Sequence, residues 1–190
     1  MIRIGILGDI GSGKSFVAKL FGYPVFNADY EVSKLYLKDK KIFIKLNKKL
    51  PKYIFKFPID KNEIRAAILS NKNNLKKIIN IVHKEIRKKM KLFLKKNKHK
   101  KIVILDIPLL LENKINNKKD ILIFVDSKKK DIEKRLFKRE NFDRKLFNKF
   151  KKSQFSLLYK KKKSHFIIKN DFTNKTIKKY VRSILKEINT

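Results

Sequence analysis

"GDIGSGKS", residues 8–15, holds three of the five glycines in this 190-residue chain. Gly5 and Gly22 flank it, and no glycine follows Gly22. Glycine is the residue of positive φ and of close backbone approach to a ligand. Its concentration in one loop marks a place where something binds against bare main chain. The eight residues satisfy G-x-x-x-x-G-K-[ST] in full. Upstream, "IRIGIL" (2–7) is a short apolar run that reads as a buried strand. Downstream, "KSFVAKLFG" (14–22) has helical spacing at Val17, Ala18, Leu20 and Phe21 and closes on Gly22.

Strand, loop and helix in that order form the context a phosphate-binding loop requires. Successive backbone N–H groups turn inward around a phosphate chain, and the helix N-terminus adds its positive end. Gly8, Gly11 and Gly13 permit that path, with Ser12 inside the loop and Phe16 just beyond it. Lys14 has the reach to meet β- and γ-phosphates, and Ser15 offers a hydroxyl to Mg²⁺. A dinucleotide fingerprint is excluded, because Phe16 stands where its third glycine belongs. The loop is expected to take a nucleoside triphosphate.

Outward from the loop, apolar runs alternate with helical patterns. "YPVFNAD" (23–29) reads as a second strand with Asn27 and Asp29 at its carboxyl end. A lysine-rich helical region follows, interrupted around Pro51 and Pro58. "DKNEIRAAILSN" (60–71) is a helix with a capping box, Asp60 as N-cap and Glu63 three later. "NLKKIINIVHKEIRKKMKLFLKK" (74–96) is a long amphipathic helix with Leu75, Ile78, Ile79, Val82, Ile86, Met90 and Phe93 on one side. "KIVILDIP" (101–108) and "DILIFVDS" (120–127) are continuous apolar runs, the pattern of strands buried on both faces. Helical patterns over 129–140 and 144–162, a strand over 165–171 and a helix over 176–188 complete the chain. Strands alternating with helices predict a parallel sheet with helices on both faces, in one domain.

Composition narrows the class. There is no cysteine, hence no disulfide framework and no thiol chemistry. No apolar run reaches membrane-spanning length and no signal pattern opens the chain, so a cytoplasmic protein is expected, with no membrane partner. Net charge is +35, from 52 Lys and Arg against 17 Asp and Glu. Only seven of the 52 are arginine, and the lysines are spread over the whole chain. That is the mark of compositional bias rather than of base-reading arginine forks, so nucleic acid is expected to bind only nonspecifically. The lysine runs at 94–101 and 159–163 read as solvated helix ends. Where lysine is the default cation, each remaining arginine is a candidate for work that needs a planar fork, and three fall in "KRLFKRENFDRK", 134–145.

Asp106 ends a buried strand, where a second metal carboxylate belongs; capping the following "PLLLE" is the competing reading. Guanine-reading N-K-x-D is missing after the later strands, which turns the triphosphate toward a small P-loop kinase.

The order "GILGDIGSGKS", "FNAD", "IVHKEI", "LDIPLLLEN" and "KSQ" before "FIIKN" resembles the dephospho-CoA kinases over nearly the full chain. The resemblance implies a three-layer P-loop NTPase fold with five parallel strands, a helical substrate-binding insertion and a lid. It places the core at about 1–29, 101–133 and 164–190, the acceptor-binding region at about 30–100, and the lid at about 134–163. It also implies the reaction, transfer of the ATP γ-phosphoryl group to the 3′-hydroxyl of dephospho-CoA with Mg²⁺, the last step of coenzyme A synthesis. Several residues depart from the family pattern: Asp9 for a glycine, Asn27 for the first acid of Asp-Ala-Asp, Lys84 for a proline after His83, His165 for an aspartate, and Phe172 for a glycine after Asn170.

Roles follow by resemblance. Asp29 orients the acceptor hydroxyl and takes its proton, against the alternative of a helix N-cap. Arg139 and Arg144 clamp phosphates from a lid, or form salt bridges with Glu140 and Asp143. Arg65 holds the acceptor's phosphate. His83 lies near the acceptor, or is a structural histidine on an amphipathic face. Pro108, Leu109 and Glu112 line the substrate loop, and Gln154 contacts the acceptor or packs on the lid. Asn170 belongs to the adenine loop. Two rivals stand beside this reading: another small P-loop nucleoside or nucleotide kinase, and a nucleic-acid-binding ATPase exploiting the charge.

Overall fold

The computed structural model describes residues 1–140 and 142–189. They form two compact units: residues 1–27, 97–143 and 149–190 carry a sheet, and residues 28–96 with 144–148 are helical.

The sheet unit opens with β1 (Ile2–Gly8), the phosphate-type loop and α1 (Lys14–Leu20), then β2 (Val25–Asn27). After the helical unit the chain returns as β3 (Ile102–Asp106) and β4 (Ile121–Asp126). All five strands, with β5 (Phe166–Lys169), are parallel in the order β2-β3-β1-β4-β5. The continuous apolar runs explain this: every residue of β3 is buried, as a strand covered on both faces must be. On one face, Ile4, Ile6, Ile102, Ile104, Ile123, Val125 and Ile168 pack against Val17 and Ala18 of α1 and Phe21 at its C-cap. Ile177, Val181 and Ile184 of the last helix join that core. On the other face Gly5 lets Leu110 approach so closely that a Cβ there would lie 2.5 Å from its Cδ2. β1 is the switch strand, since the chain leaves it toward β2 on one side while β4 continues toward β5 on the other. A crevice at the carboxyl ends is where such sheets bind ligands.

The helical unit contains α2 (Ala28–Lys38), α3 (Lys40–Lys49), α4 (Lys61–Ser70) and α5 (Lys72–Lys96). The long α5 packs against the other three. Its buried residues Ile78, Val82, Ile86 and Met90 recur every fourth position, so one stripe faces its neighbours while the lysines stay in water. The capping box of α4 is present: Asp60 accepts from the Asn62 N–H at 2.8 Å, and the Glu63 carboxylate accepts the Asp60 N–H.

Three local expectations change. The second strand stops at Asn27 and Asp29 is already the second residue of α2, so Asp29 is neither strand end nor N-cap. The single helix expected over 144–162 is two, α7 (Arg144–Lys152) and α8 (Leu157–Lys162). The break arises because the Phe155 N–H donates to Glu112 Oε1 at 2.9 Å and Ser156 caps a new helix by accepting from the Tyr159 N–H. The lysine run 159–163 is not uniformly solvated, since Lys160 is 1% exposed. Before α7 lies α6 (Lys129–Phe137), and the chain ends in α9 (Asn174–Asn189).

Candidate active site

β1 delivers the loop at its carboxyl end. Gly13 is the N-cap of α1 at φ +89°, and a Cβ there would lie 2.5 Å from Asn170 Nδ2, so both conformation and space demand glycine. Gly11, at φ +84°, lets α6 close on the loop through Ile132 and Leu136. Outside the loop, the Ser12 carbonyl accepts from Asn170 Nδ2 at 2.7 Å and from Ser127 Oγ at 2.9 Å. These braces turn a carbonyl outward. No acidic residue sits in the first turn of α1 and no side chain caps it, which leaves the positive end of its dipole for an anion. Lys14 Nζ donates to the Asp9 carbonyl at 2.7 Å and the Gly8 carbonyl at 3.4 Å, folded back over its own loop. Ser15 and Phe16, the next two residues of α1, are exposed.

The β2–β3 register sets Asn27 beside Asp106. Asn27 Nδ2 donates to Asp106 Oδ2 at 2.6 Å and lies 3.5 Å from Ser15 Oγ. One amide thus joins the serine hydroxyl to a carboxylate that is 3% exposed. No group of three or more His, Cys, Asp or Glu side chains able to hold a metal occurs among the described residues. The donors that do converge are hard oxygens, one of them a carboxylate, which fits Mg²⁺ brought in with phosphates rather than caged by protein.

A second cluster lies past β3. Pro108 and Leu109 are half-buried in the turn after Asp106. Glu112 Oε1 accepts from Lys160 Nζ at 2.9 Å as well as from the Phe155 N–H, and Lys160 also donates to Gln154 Oε1 at 2.9 Å. Glu112 Oε2 is buried without a partner. The chain's candidates Glu112 and Gln154 are therefore joined through Lys160, a residue that sequence reasoning missed. Its only signal was position within a lysine run, which is no signal in this chain.

Asn170 is buried behind the loop, spending its amide on Ser12 and its Oδ1 on the Phe172 N–H at 2.7 Å. Phe172 holds φ +64°, a backbone that glycine adopts freely, and the Arg135 guanidinium lies 4.4 Å from its ring centroid. Arg139 is exposed in the turn after α6. His165 is structural: Nδ1 accepts the Leu122 N–H at 3.0 Å beside the β4–β5 ladder.

The other candidates belong to the helical unit. Asp29 is exposed in the first turn of α2, where its charge favours the helix dipole. Arg65 is half-buried on α4 and Arg144 is the exposed first residue of α7. His83, half-buried on α5, has its pKa lowered by burial and by the like charge of Arg87 one turn on.

A five-stranded parallel sheet whose first strand feeds a glycine-built anion loop, with one buried carboxylate on the neighbouring strand end, defines a P-loop kinase. A "Dephospho-CoA kinase" from Wolbachia pipientis wMel is 33% identical over 191 residues, 98% of this chain and 97% of that protein. A crystal structure from Thermus thermophilus has a TM-score of 0.77 at 24% identity, covering 98% of this chain and 97% of that one. The dephospho-CoA kinase of Campylobacter jejuni has a TM-score of 0.64 at 22% identity, covering 98% and 96%. The dephospho-CoA kinase family model matches residues 2–176, and the chain belongs to that family. Its reaction is the phosphorylation of dephospho-CoA that completes coenzyme A synthesis. This bears out the resemblance read from the motifs and sets aside the rival acceptors.

Proposed function

We propose that the loop Gly8–Ser15 cradles the phosphates of ATP, and that Mg²⁺ travels with the nucleotide. The observation that carries this reading is the Ser15–Asn27–Asp106 contact at the strand ends beside the loop. Ser15 and Asp106 would hold the cation, which supplies charge neutralisation at the β- and γ-oxygens. Lys14 swings from its loop carbonyls to the same oxygens. Gly8, Gly11, Ser12, Gly13 and Phe16 shape the cradle, and Asn170 keeps it open from behind. Arg139 and Arg144 clamp the nucleotide phosphates from the lid.

On the acceptor side, Arg65, His83, Pro108, Leu109, Glu112 and Gln154 bind dephospho-CoA. Asp29 orients its 3′-hydroxyl. The O3′–P bond forms as the bond from γ-phosphorus to its bridging oxygen breaks, and ADP leaves with that electron pair. The hydroxyl proton passes to Asp29 during the step, because a carboxylate is too weak a base to remove it beforehand. Core, acceptor region and lid divide at about 1–29, 101–133 and 164–190, then 30–100, then 134–163. The enzyme works in the cytoplasm, and its basic surface holds nucleic acid only nonspecifically.

The test is ADP release with dephospho-CoA, with nucleoside monophosphates and with DNA, each read beside the phosphorylated product. Product carrying a new 3′-phosphate from dephospho-CoA is expected. DNA-stimulated hydrolysis without acceptor phosphorylation would overturn the acceptor assignment.

A further inference from the structure

Asp9 is the anomaly of the nucleotide site. A carboxylate in a phosphate loop repels the ligand the loop exists to hold, and this one is 9% exposed, so water screens it poorly. The backbone of the same residue is part of the loop's interior wiring: its carbonyl accepts Lys14 Nζ at 2.7 Å and the Ser12 N–H at 3.2 Å. The carboxylate is fully engaged. Oδ1 accepts the Ile10 N–H at 2.8 Å, and Oδ2 accepts Lys151 Nζ at 3.2 Å, from the last turn of α7. Asp126, which lines the same recess, is paired with Lys161 at 2.8 Å.

We propose that Lys151 is a positioning residue of the nucleotide site. Its ammonium neutralises the Asp9 carboxylate and holds it turned toward α7, so that the loop accepts a triphosphate. The Lys151 side chain is 47% exposed and therefore contributes little to the core. Its role is to compensate a charge this chain carries inside its own loop. The inference rests on the phosphate-loop reading above.

The experiment is equilibrium ATP binding, without acceptor, to the full chain and to Lys151→Met, Asp9→Asn and the double variant. Lys151→Met is expected to weaken ATP binding about tenfold at low salt, the scale of one partly screened charge near a triphosphate. The loss should shrink as added salt shortens the screening length. In the Asp9→Asn background the same lysine change should cost less than about twofold, because the charge to be neutralised is gone. An equal loss in both backgrounds would mean that Lys151 touches ATP itself and overturns the proposal. So does intact affinity with lowered thermal stability, which assigns the pair to the fold alone. Lys14→Ala runs alongside to separate the two failures: unchanged ATP affinity there breaks the phosphate-loop reading and the inference with it, whereas affinity lost there but kept in Lys151→Met overturns the Lys151 inference alone.

Discussion

The phosphate loop and the segment from Ser153 to Lys163 both belong to the sheet unit, and each turns on one lysine. Lys14 is half-exposed and rests on carbonyls of its own loop, contacts that the proposed function has it exchange for phosphate. Lys160 is buried and locked between Glu112 and Gln154. The loop is built from backbone, so its chemistry is portable and its side chains are few. The segment is built from a buried ion pair, whose partners depend on one another because each would be costly alone. On the proposed reading the first lysine serves a ligand, whereas the second is committed to the protein.

The sharpest way to break that contrast is Lys14→Ala. It removes the cation proposed to meet the β- and γ-phosphates while taking nothing from the core, so phosphoryl transfer should fall below detection with the melting temperature nearly unchanged. Near-normal turnover in a folded variant would end the distinction between the two lysines.

Asp29→Asn is next in size. Asparagine keeps the shape and one acceptor oxygen but loses the charge that takes the proton. Turnover should fall by roughly two to four orders of magnitude, the usual span for a positioned acid or base, with ATP affinity unchanged. Because Asp29 is inside the first turn of α2, its loss should lower stability only by a dipole contribution of about 0.3–1 kcal/mol. A variant with full turnover would return Asp29 to the helix alone.

Lys160→Met reverses the pattern, with stability as the first readout. Removing one partner leaves the Glu112 carboxylate buried and uncompensated, at a cost of about 3–5 kcal/mol in unfolding free energy. Adding Glu112→Gln should recover part of that loss. If Lys160→Met melts like the parent, the ion pair is not what holds α8 and the loop after β3 together.

Why one lysine was legible and the other was not follows from what surrounds them in sequence. The fold could be read because apolar runs and helical spacing are set by the core, which compositional drift does not touch: the runs at 2–7, 101–108 and 120–127 each hold a strand, Ile2–Gly8, Ile102–Asp106 and Ile121–Asp126. Lys14 stood out because glycine is scarce here and its spacing is set by backbone geometry. Lys160 is the first of four successive lysines, and burial leaves no mark on a residue type that fills the whole surface. The break at residues 153–156 was hidden for a related reason, since it is caused by Glu112, more than forty residues away. Arginine was a partial guide. Arg3 pairs with buried Asp120 at 2.9 Å and Arg135 lies over Phe172, so scarcity of arginine points to a job without saying that the job is chemistry. Asp29 lay outside its expected element because β2 is only three residues long, too short for its end to be read from pattern.

His83 tests the contrast from the helical unit, with the smallest effect. Lys160 is buried beside an opposite charge; His83 is half-buried beside the like charge of Arg87, so burial first and repulsion second lower its pKa below 6.5. The unfolded chain therefore takes up the proton at a higher pH than the folded one. Between those two values the unfolded state binds more protons, and stability must rise with pH. The contribution is complete above about 6.5 and is lost as acid carries the pH down through the folded value. His83→Gln should flatten that part of the stability–pH curve, read as melting temperature from mildly acidic to neutral buffer. If the histidine also meets the acceptor, as proposed, the same variant should raise KM for dephospho-CoA and leave KM for ATP alone. A flattened curve with both KM values intact would make His83 structural, and an unchanged slope would mean that its ring is not desolvated by the fold at all.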